Sequence, residues 1–248
     1  GSQNYSYSYN LPIASLGNGS HSVAVTAIDG AGNESATAAT LNFEKDSPPT
    51  LAITTPSGTP EYTSLSTYPI EGTADDASGT VDDVQVRVDG GSWVTASDFT
   101  AGSSVTWTHD VSLTQDDSYS VEVKATDNNG FESAIESFTL VRDTGNPTVA
   151  ISTPQNNATI VAESTPYTVE LSGTVSNEPN LKTLEYRVGS GSPVSIGAGA
   201  SWSTNLSLNA GEYTVYVRAV DEVNNDQEVE VNFEIQEVVE INVGGGYT

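Results

Sequence analysis

Three aspartates, Asp29, Asp127 and Asp221, each end a run in which apolar and polar residues alternate, and loop residues follow each: "AIDGAGN", "ATDNNGF" and "AVDEVNN". A carboxylate in such a loop has two ordinary uses. It can accept hydrogen bonds from backbone N–H groups two residues on, which fixes a turn. It can also give oxygens to a hard cation such as calcium, which takes roughly six to eight of them in flexible geometry. Neither loop type has the alternating ligands and closing Glu of an EF-hand. The turn is therefore the first reading, with calcium as the alternative.

Further carboxylates extend the calcium candidates. Asp46 and Asp143 open the segments "DSPPT" and "DTGNPT", while "TADDASGTVDD" crowds Asp75, Asp76, Asp82 and Asp83 into one expected loop. Like charges packed this closely repel unless water solvates them or a cation is shared. The candidate ligands are Asp46, Asp75, Asp76, Asp82, Asp83, Asp127 and Asp143, grouped near junctions. The aligned segment "TVSNEPNLKT" has only Glu178, so such a site would not be general along the chain.

Other chemistry finds little material. The sequence holds two histidines, His21 and His109, and no cysteine. A zinc site needs His or Cys sets, and hydrolysis needs a nucleophile with its base or a carboxylate pair. No catalytic residue is expected, and the chain reads as a non-enzyme. Trp93 follows Gly90 and Gly91 in an expected hairpin and is the candidate for stacking on a sugar. Trp107 and Trp202 sit at matching inward positions and read as core. Lys124, on an outward strand face, argues against an internal Lys–Asn crosslink.

The elements that position these residues follow from internal repetition. "YSVEVKATDNNGFES" from Tyr119 matches "HSVAVTAIDGAGNES" from His21 and "YTVYVRAVDEVNND" from Tyr213. Upstream, "WTHDVSL" from Trp107 matches "WSTNLSL" from Trp202 and "YSYNLPI" from Tyr7. Two blocks occur twice: "PTLAITTP" with "PTVAISTP", and "VQVRVDGGS" with "LEYRVGSGS". The unit is thus about 95 residues long, whole at 47–143 and 144–238. Residues 1–46 match only its last part, and 239–248 read as a tail or a linker to a further module. No methionine occurs, so the chain reads as an internal or processed piece.

Within a unit the period is two. Val121, Val123 and Ala125 share one face, and Glu122, Lys124 and Thr126 the other. Short alternating strands separated by Gly, Asn, Asp and Pro describe half-buried antiparallel sheets. The predicted fold is all-β: tandem immunoglobulin-like β-sandwiches of about seven strands each, with an incomplete first copy. Tyr119 and Tyr213 stand where such a sandwich places its tyrosine corner, and His21 takes that place in the first copy, where a similar hydrogen bond is open to it.

These motifs resemble the bacterial Ig-like domains that occur in tandem in surface proteins, adhesins and secreted polysaccharide-degrading enzymes. "PTLAITTP", "VQVRVDGG" and "YSVEVKATDNNG" carry the likeness, with "YTVYVRAVDEVNN" in the last copy. The resemblance implies an extracellular or bacterial cell-surface stalk or spacer whose partners are neighbouring Ig-like domains. It also implies two variations: stiffening by calcium, and a face that binds a glycan or a receptor. A net charge of −26, from 33 acidic and 7 basic residues, opposes phosphate backbones, so nucleic acid is not an expected partner. No run is long and apolar enough for membrane insertion as a helix. Three strands in residues 5–44 would leave an apolar face and open edges. Strand donation from the tail, where Val239, Ile241 and Val243 alternate, is one way to cover them and would build a fibre.

Overall fold

The computed structural model describes residues 5–176, 180–197 and 199–239. Glu178 and the tail alternation at Ile241 and Val243 lie outside the described residues. Among those described, every regular element is a β-strand. The chain divides into two compact units, Gly1–Glu61 with Leu65–Val141, and Tyr62–Ser64 with Arg142–Thr248.

The first unit begins with a hairpin, β1 (Gly19–Val25) and β2 (Ala39–Lys45), paired antiparallel from Gly19↔Lys45 to Val25↔Ala39. The third strand expected around Tyr7 is not formed: residues 5–13 have no regular structure, and Tyr7 is 73% exposed. Its aligned strands in the two sandwiches are each held along their length by a neighbour. Residues 5–45 contain no counterpart of that neighbour, and an unpaired strand cannot satisfy its backbone groups.

The sandwich that follows has β3 (Thr50–Thr55), β4 (Glu61–Thr63), β5 (Thr67–Asp75), β6 (Val81–Val88), β7 (Val94–Thr95), β8 (Asp98–Phe99), β9 (Ser104–Ser112), β10 (Asp117–Asp127) and β11 (Glu136–Arg142). Its sheets run β3-β5-β9-β8 and β4-β11-β10-β6-β7. Seven longer strands and the two-residue strands β7 and β8 match the expected count. Alternation does the sorting. Val121, Val123 and Ala125 of β10 are fully buried, and each such valine contributes about 1.5–3 kcal/mol relative to exposure.

Trp107 of β9 fills the centre of this core and is 1% exposed. It fits because Gly72 of β5, its partner across the ladder, has no side chain. A Cβ there would lie 2.3 Å from both Ala52 O and Trp107 Cζ2. Gly173 makes the same space for Trp202 in the second unit.

The corner predictions hold in all three copies. Tyr119 Oη donates to Gln115 O at 2.8 Å and accepts from Gln115 N at 3.1 Å. Tyr213 Oη donates to Asn209 O at 3.1 Å. His21 Nε2 lies 2.8 Å from Gly17 O, again four residues back. A carbonyl only accepts, so the ring donates from Nε2.

The second unit contains β12 (Thr148–Thr153), β13 (Ala158–Ala162), β14 (Tyr167–Ser176), β15 (Leu181–Val188), β16 (Val194–Ser195), β17 (Ser201–Leu208), β18 (Gly211–Asp221) and β19 (Asp226–Glu237). Its sheets run β12-β14-β17 and β13-β19-β18-β15-β16. Strand β13 pairs with β19 in parallel, from Ala158↔Phe233 to Ala162↔Glu237.

Candidate metal centre

The three aspartate loops share one backbone plan. In each, the Asp N–H donates to the carbonyl four residues on: Asn33 at 2.9 Å, Phe131 at 3.0 Å and Asn225 at 3.1 Å. In each, Oδ1 accepts the N–H of that same residue, at 2.9 Å from Asn33, 2.8 Å from Phe131 and 2.8 Å from Asn225. Asp29 and Asp127 also accept an N–H two residues on, from Ala31 and Asn129. The turn reading is correct for Oδ1 throughout.

The second carboxylate oxygen separates the loops. Asp29 Oδ2 accepts from Asn33 Nδ2 at 2.9 Å, and that amide, ahead of the backbone donors, holds the Asp29 carboxyl below its ordinary value. Asp221 Oδ2 accepts from Asn225 Nδ2 at 2.8 Å. The same Nδ2 donates to Gly145 O at 3.0 Å, so the orientation of the amide is fixed by two groups that only accept. In the middle copy the residue in question is Phe131, which has no donor. Asp127 is 2% exposed, and its Oδ2 is buried without a hydrogen-bond partner.

Two more carboxylates meet Asp127. Asp46, Asp76 and Asp127 offer oxygens that all lie within 4.8 Å of one another. One calcium ion with Ca–O distances of about 2.3–2.6 Å spans such a set. Asp76 is 4% exposed, and its Oδ2, like that of Asp127, is buried without a partner. Leaving a buried charged oxygen unpaired costs several kcal/mol, on the order of the penalty for an unsatisfied ion. Asp46 is half-buried and takes hydrogen bonds from the Ser78 hydroxyl, the Asn129 amide and Ser47 N. The Ser78 and then the Asn129 side chains hold its carboxyl below the usual value. Asp76 Oδ1 accepts Ser78 N at 2.8 Å, which aims Oδ2 elsewhere. Gly79 leaves the room: a Cβ there would lie 2.4 Å from Asn128 Oδ1 and 2.9 Å from Asp76 Oδ2. The donor set is all oxygen and triply anionic, which suits a hard divalent ion.

The other four calcium candidates do not join this group. Asp75 ends β5 with its side chain exposed. Asp82 and Asp83 lie in strand β6 rather than in a loop. The pairing Asp127↔Val81 and Thr126↔Asp83 leaves Asp82 as the extra residue of a bulge, which turns Val81 and Val84 inward and Asp82 out. Asp83 Oδ2 accepts from Thr95 Oγ1 at 3.4 Å. Asp143 caps Gly145 N at 2.9 Å in the second unit.

Trp93 is half-buried, with Arg87 Cζ 4.5 Å and Lys124 Nζ 4.9 Å from its ring centre. This is cation–π geometry. Arg87 Nε also donates to Glu122 at 2.7 Å, and Lys124 pairs with Glu132; Lys124 is on the outward face, but its side chain, under Trp93 and beside that acid, is only 11% exposed. His109 is half-buried with Nδ1 3.2 Å from Ser97 Oγ.

The family model described as "Bacterial Ig domain" matches residues 49–123 and 147–217. No curated protein sequence matches the chain significantly. Among solved structures, the chain is similar to the CbhA fibronectin(III)-like modules of Clostridium thermocellum: 16% identity over 75% of this chain and 94% of that one, TM-score 0.44. It is similar to a tetra-tandem repeat in the extending region of a large adhesion protein: 25% identity over 90% of this chain, TM-score 0.35. The chain spans 58% of that structure. A third likeness is to the endo-beta-1,4-mannanase from Thermotoga petrophila: 13% identity, 39% of this chain and 21% of that one, TM-score 0.32. At these TM-scores the structural likenesses carry no weight, and the family match alone carries the assignment.

Proposed function

The chain belongs to the bacterial Ig domain family, and from that premise we propose that it is a spacer segment of an extracellular or cell-surface bacterial protein, with calcium bound in its middle module. Its segments, taken from the sequence repeat, are the last part of one Ig-like domain at 1–46, domains at 47–143 and 144–238, and a tail from 239. The observation that supports a spacer is the repetition itself. Two successive sandwiches have separate, complete cores and keep the same core rows, while their loops diverge. "TADDASGTVDD" faces "TVSNEPNLKT", and a shared ligand would hold such loops alike.

Calcium is supported by the two buried, unpartnered oxygens of Asp76 and Asp127 beside Asp46. The ion would be held by these three carboxylates and would offset their mutual repulsion, adding stability in proportion to RT ln(1 + [Ca]/Kd). Its role is structural, joining Asp46 of the leading segment to two loops of the sandwich. No catalytic role is assigned.

Probing glycan arrays and immobilised receptors with the full chain tests the spacer reading. A spacer gives no saturable binding. Saturable binding abolished by Trp93→Ala would replace it with an adhesive module, and concentration-dependent growth in light scattering would replace it with a fibre subunit.

A further inference from the structure

The loop after each repeat-end Asp has the same backbone plan three times, with Asp127 and Asp221 buried and Asp29 exposed. Oδ1 is satisfied by backbone N–H groups in every copy, so Oδ2 needs a partner of its own, which water can supply only to the exposed Asp29. In the first and third copies the fourth residue after the Asp is Asn, and its Nδ2 reaches Oδ2 at 2.9 and 2.8 Å. In the middle copy the backbone superimposes in its hydrogen bonds, yet the fourth residue is Phe131, 47% exposed. An amide is therefore missing where the loop geometry would accommodate one.

The neighbouring carboxylate changes in step. The ladder β3–β5 sets Gly72 opposite Ile53, and β12–β14 sets Gly173 opposite Ile151. Counting four residues on from each glycine brings Asp76 into alignment with Asn177. At these positions the middle copy thus has one more carboxylate and two fewer amides than the third.

From this we infer that the residue four positions after the Asp decides how the loop is neutralised: Asn makes it self-sufficient, whereas Phe131 leaves Asp127 to a divalent cation of the calcium type. This rests on reading Asp46, Asp76 and Asp127 as a cation site. An Asn amide and a cation compete here, because both would take the one buried, unpartnered oxygen, Asp127 Oδ2.

The test uses the full chain, freed of metal by chelation and titrated with calcium chloride by calorimetry and thermal melting. One calcium should bind to the parent chain. Phe131→Asn should weaken binding by about tenfold or more, a loss comparable to that of a metal site's supporting group. It should also melt in chelator close to where the parent melts in calcium. Phe131→Ser, which removes the ring without adding an amide, should bind as the parent does. Parent-like affinity in Phe131→Asn overturns the inference while leaving the site intact. No calcium binding by the parent overturns the site itself. A measurement that needs no variant is segment-resolved hydrogen exchange of the parent chain. Calcium should slow exchange at 127–131 and leave 29–33 and 221–225 unchanged, and slowing at all three loops would sink the rule.

Discussion

Replacing Gly72 by Ala adds one methyl group, and the structure leaves no place for it. The new Cβ would lie 2.3 Å from Ala52 O and 2.3 Å from Trp107 Cζ2, more than an ångström inside ordinary contact on both sides. Ala52 O belongs to the β3–β5 ladder, so moving it weakens the pairing of an edge strand. Moving Trp107 instead displaces a large, fully buried side chain. Overpacking of this kind costs roughly 1–3 kcal/mol, and expelling a core Trp roughly 3–5 kcal/mol. The expected loss is therefore about 3 kcal/mol, a drop in Tm on the order of ten degrees or more for a domain of this size. Urea unfolding followed by Trp fluorescence measures the loss, and segment-resolved hydrogen exchange assigns it to residues 67–75 and 104–112. Gly58→Ala is the control, because a Cβ there meets nothing within 4 Å. A Gly72→Ala chain within about 0.5 kcal/mol of the parent, the ordinary scatter of surface changes, would refute the packing argument.

Two further outcomes follow from the corner and from the histidine. Tyr119→Phe removes a hydroxyl that both donates to and accepts from Gln115 and should cost about 1 kcal/mol. Tyr213→Phe removes one longer bond and should cost less; the reverse order in urea midpoints would count against the corner. Burial holds the His109 imidazole below its ordinary value, with Asp110 opposing. As pH falls through about 6.5, the unfolded chain takes up a proton before the folded one. Stability is full above that pH and is lost as pH falls toward the folded value. His109→Thr, the residue the second sandwich has as Thr204, should flatten this slope in melts across pH 5–8 (roughly the range in which His titrates), and an unchanged slope would disprove the assignment.

The strands and core rows could be read from the sequence because a half-buried sheet writes its burial with period two: Val121, Val123 and Ala125 were identifiable without coordinates. The missing strand near Tyr7 was not, since alternation records what a segment could bury and not whether a neighbour exists to pair with it. The site was half legible. Asp46, Asp76 and Asp127 stood among seven candidates, but convergence over 81 residues of chain depends on how strand ends and loops meet, which no local pattern encodes. Asp82 and Asp83 went the other way because one bulge residue reassigns both faces of β6. The decisive contrast, Phe131 against Asn33 and Asn225, was present in the aligned repeats all along. It had no meaning until Oδ1 and Oδ2 were seen to have separate partners.

The parallel pairing of β13 with β19 has a mechanical consequence. Tension drawing Ala158 toward the N-terminus and Glu237 toward the C-terminus pulls parallel neighbours in opposite directions along their length. The ladder from Ala158↔Phe233 to Ala162↔Glu237 then carries the load in shear, its bonds strained together. An antiparallel hairpin pulled from its open end gives way one rung at a time. By sending its second strand, β13, from the sheet of β12 to the edge of the other sheet, the second unit would meet such tension with a ladder loaded in shear.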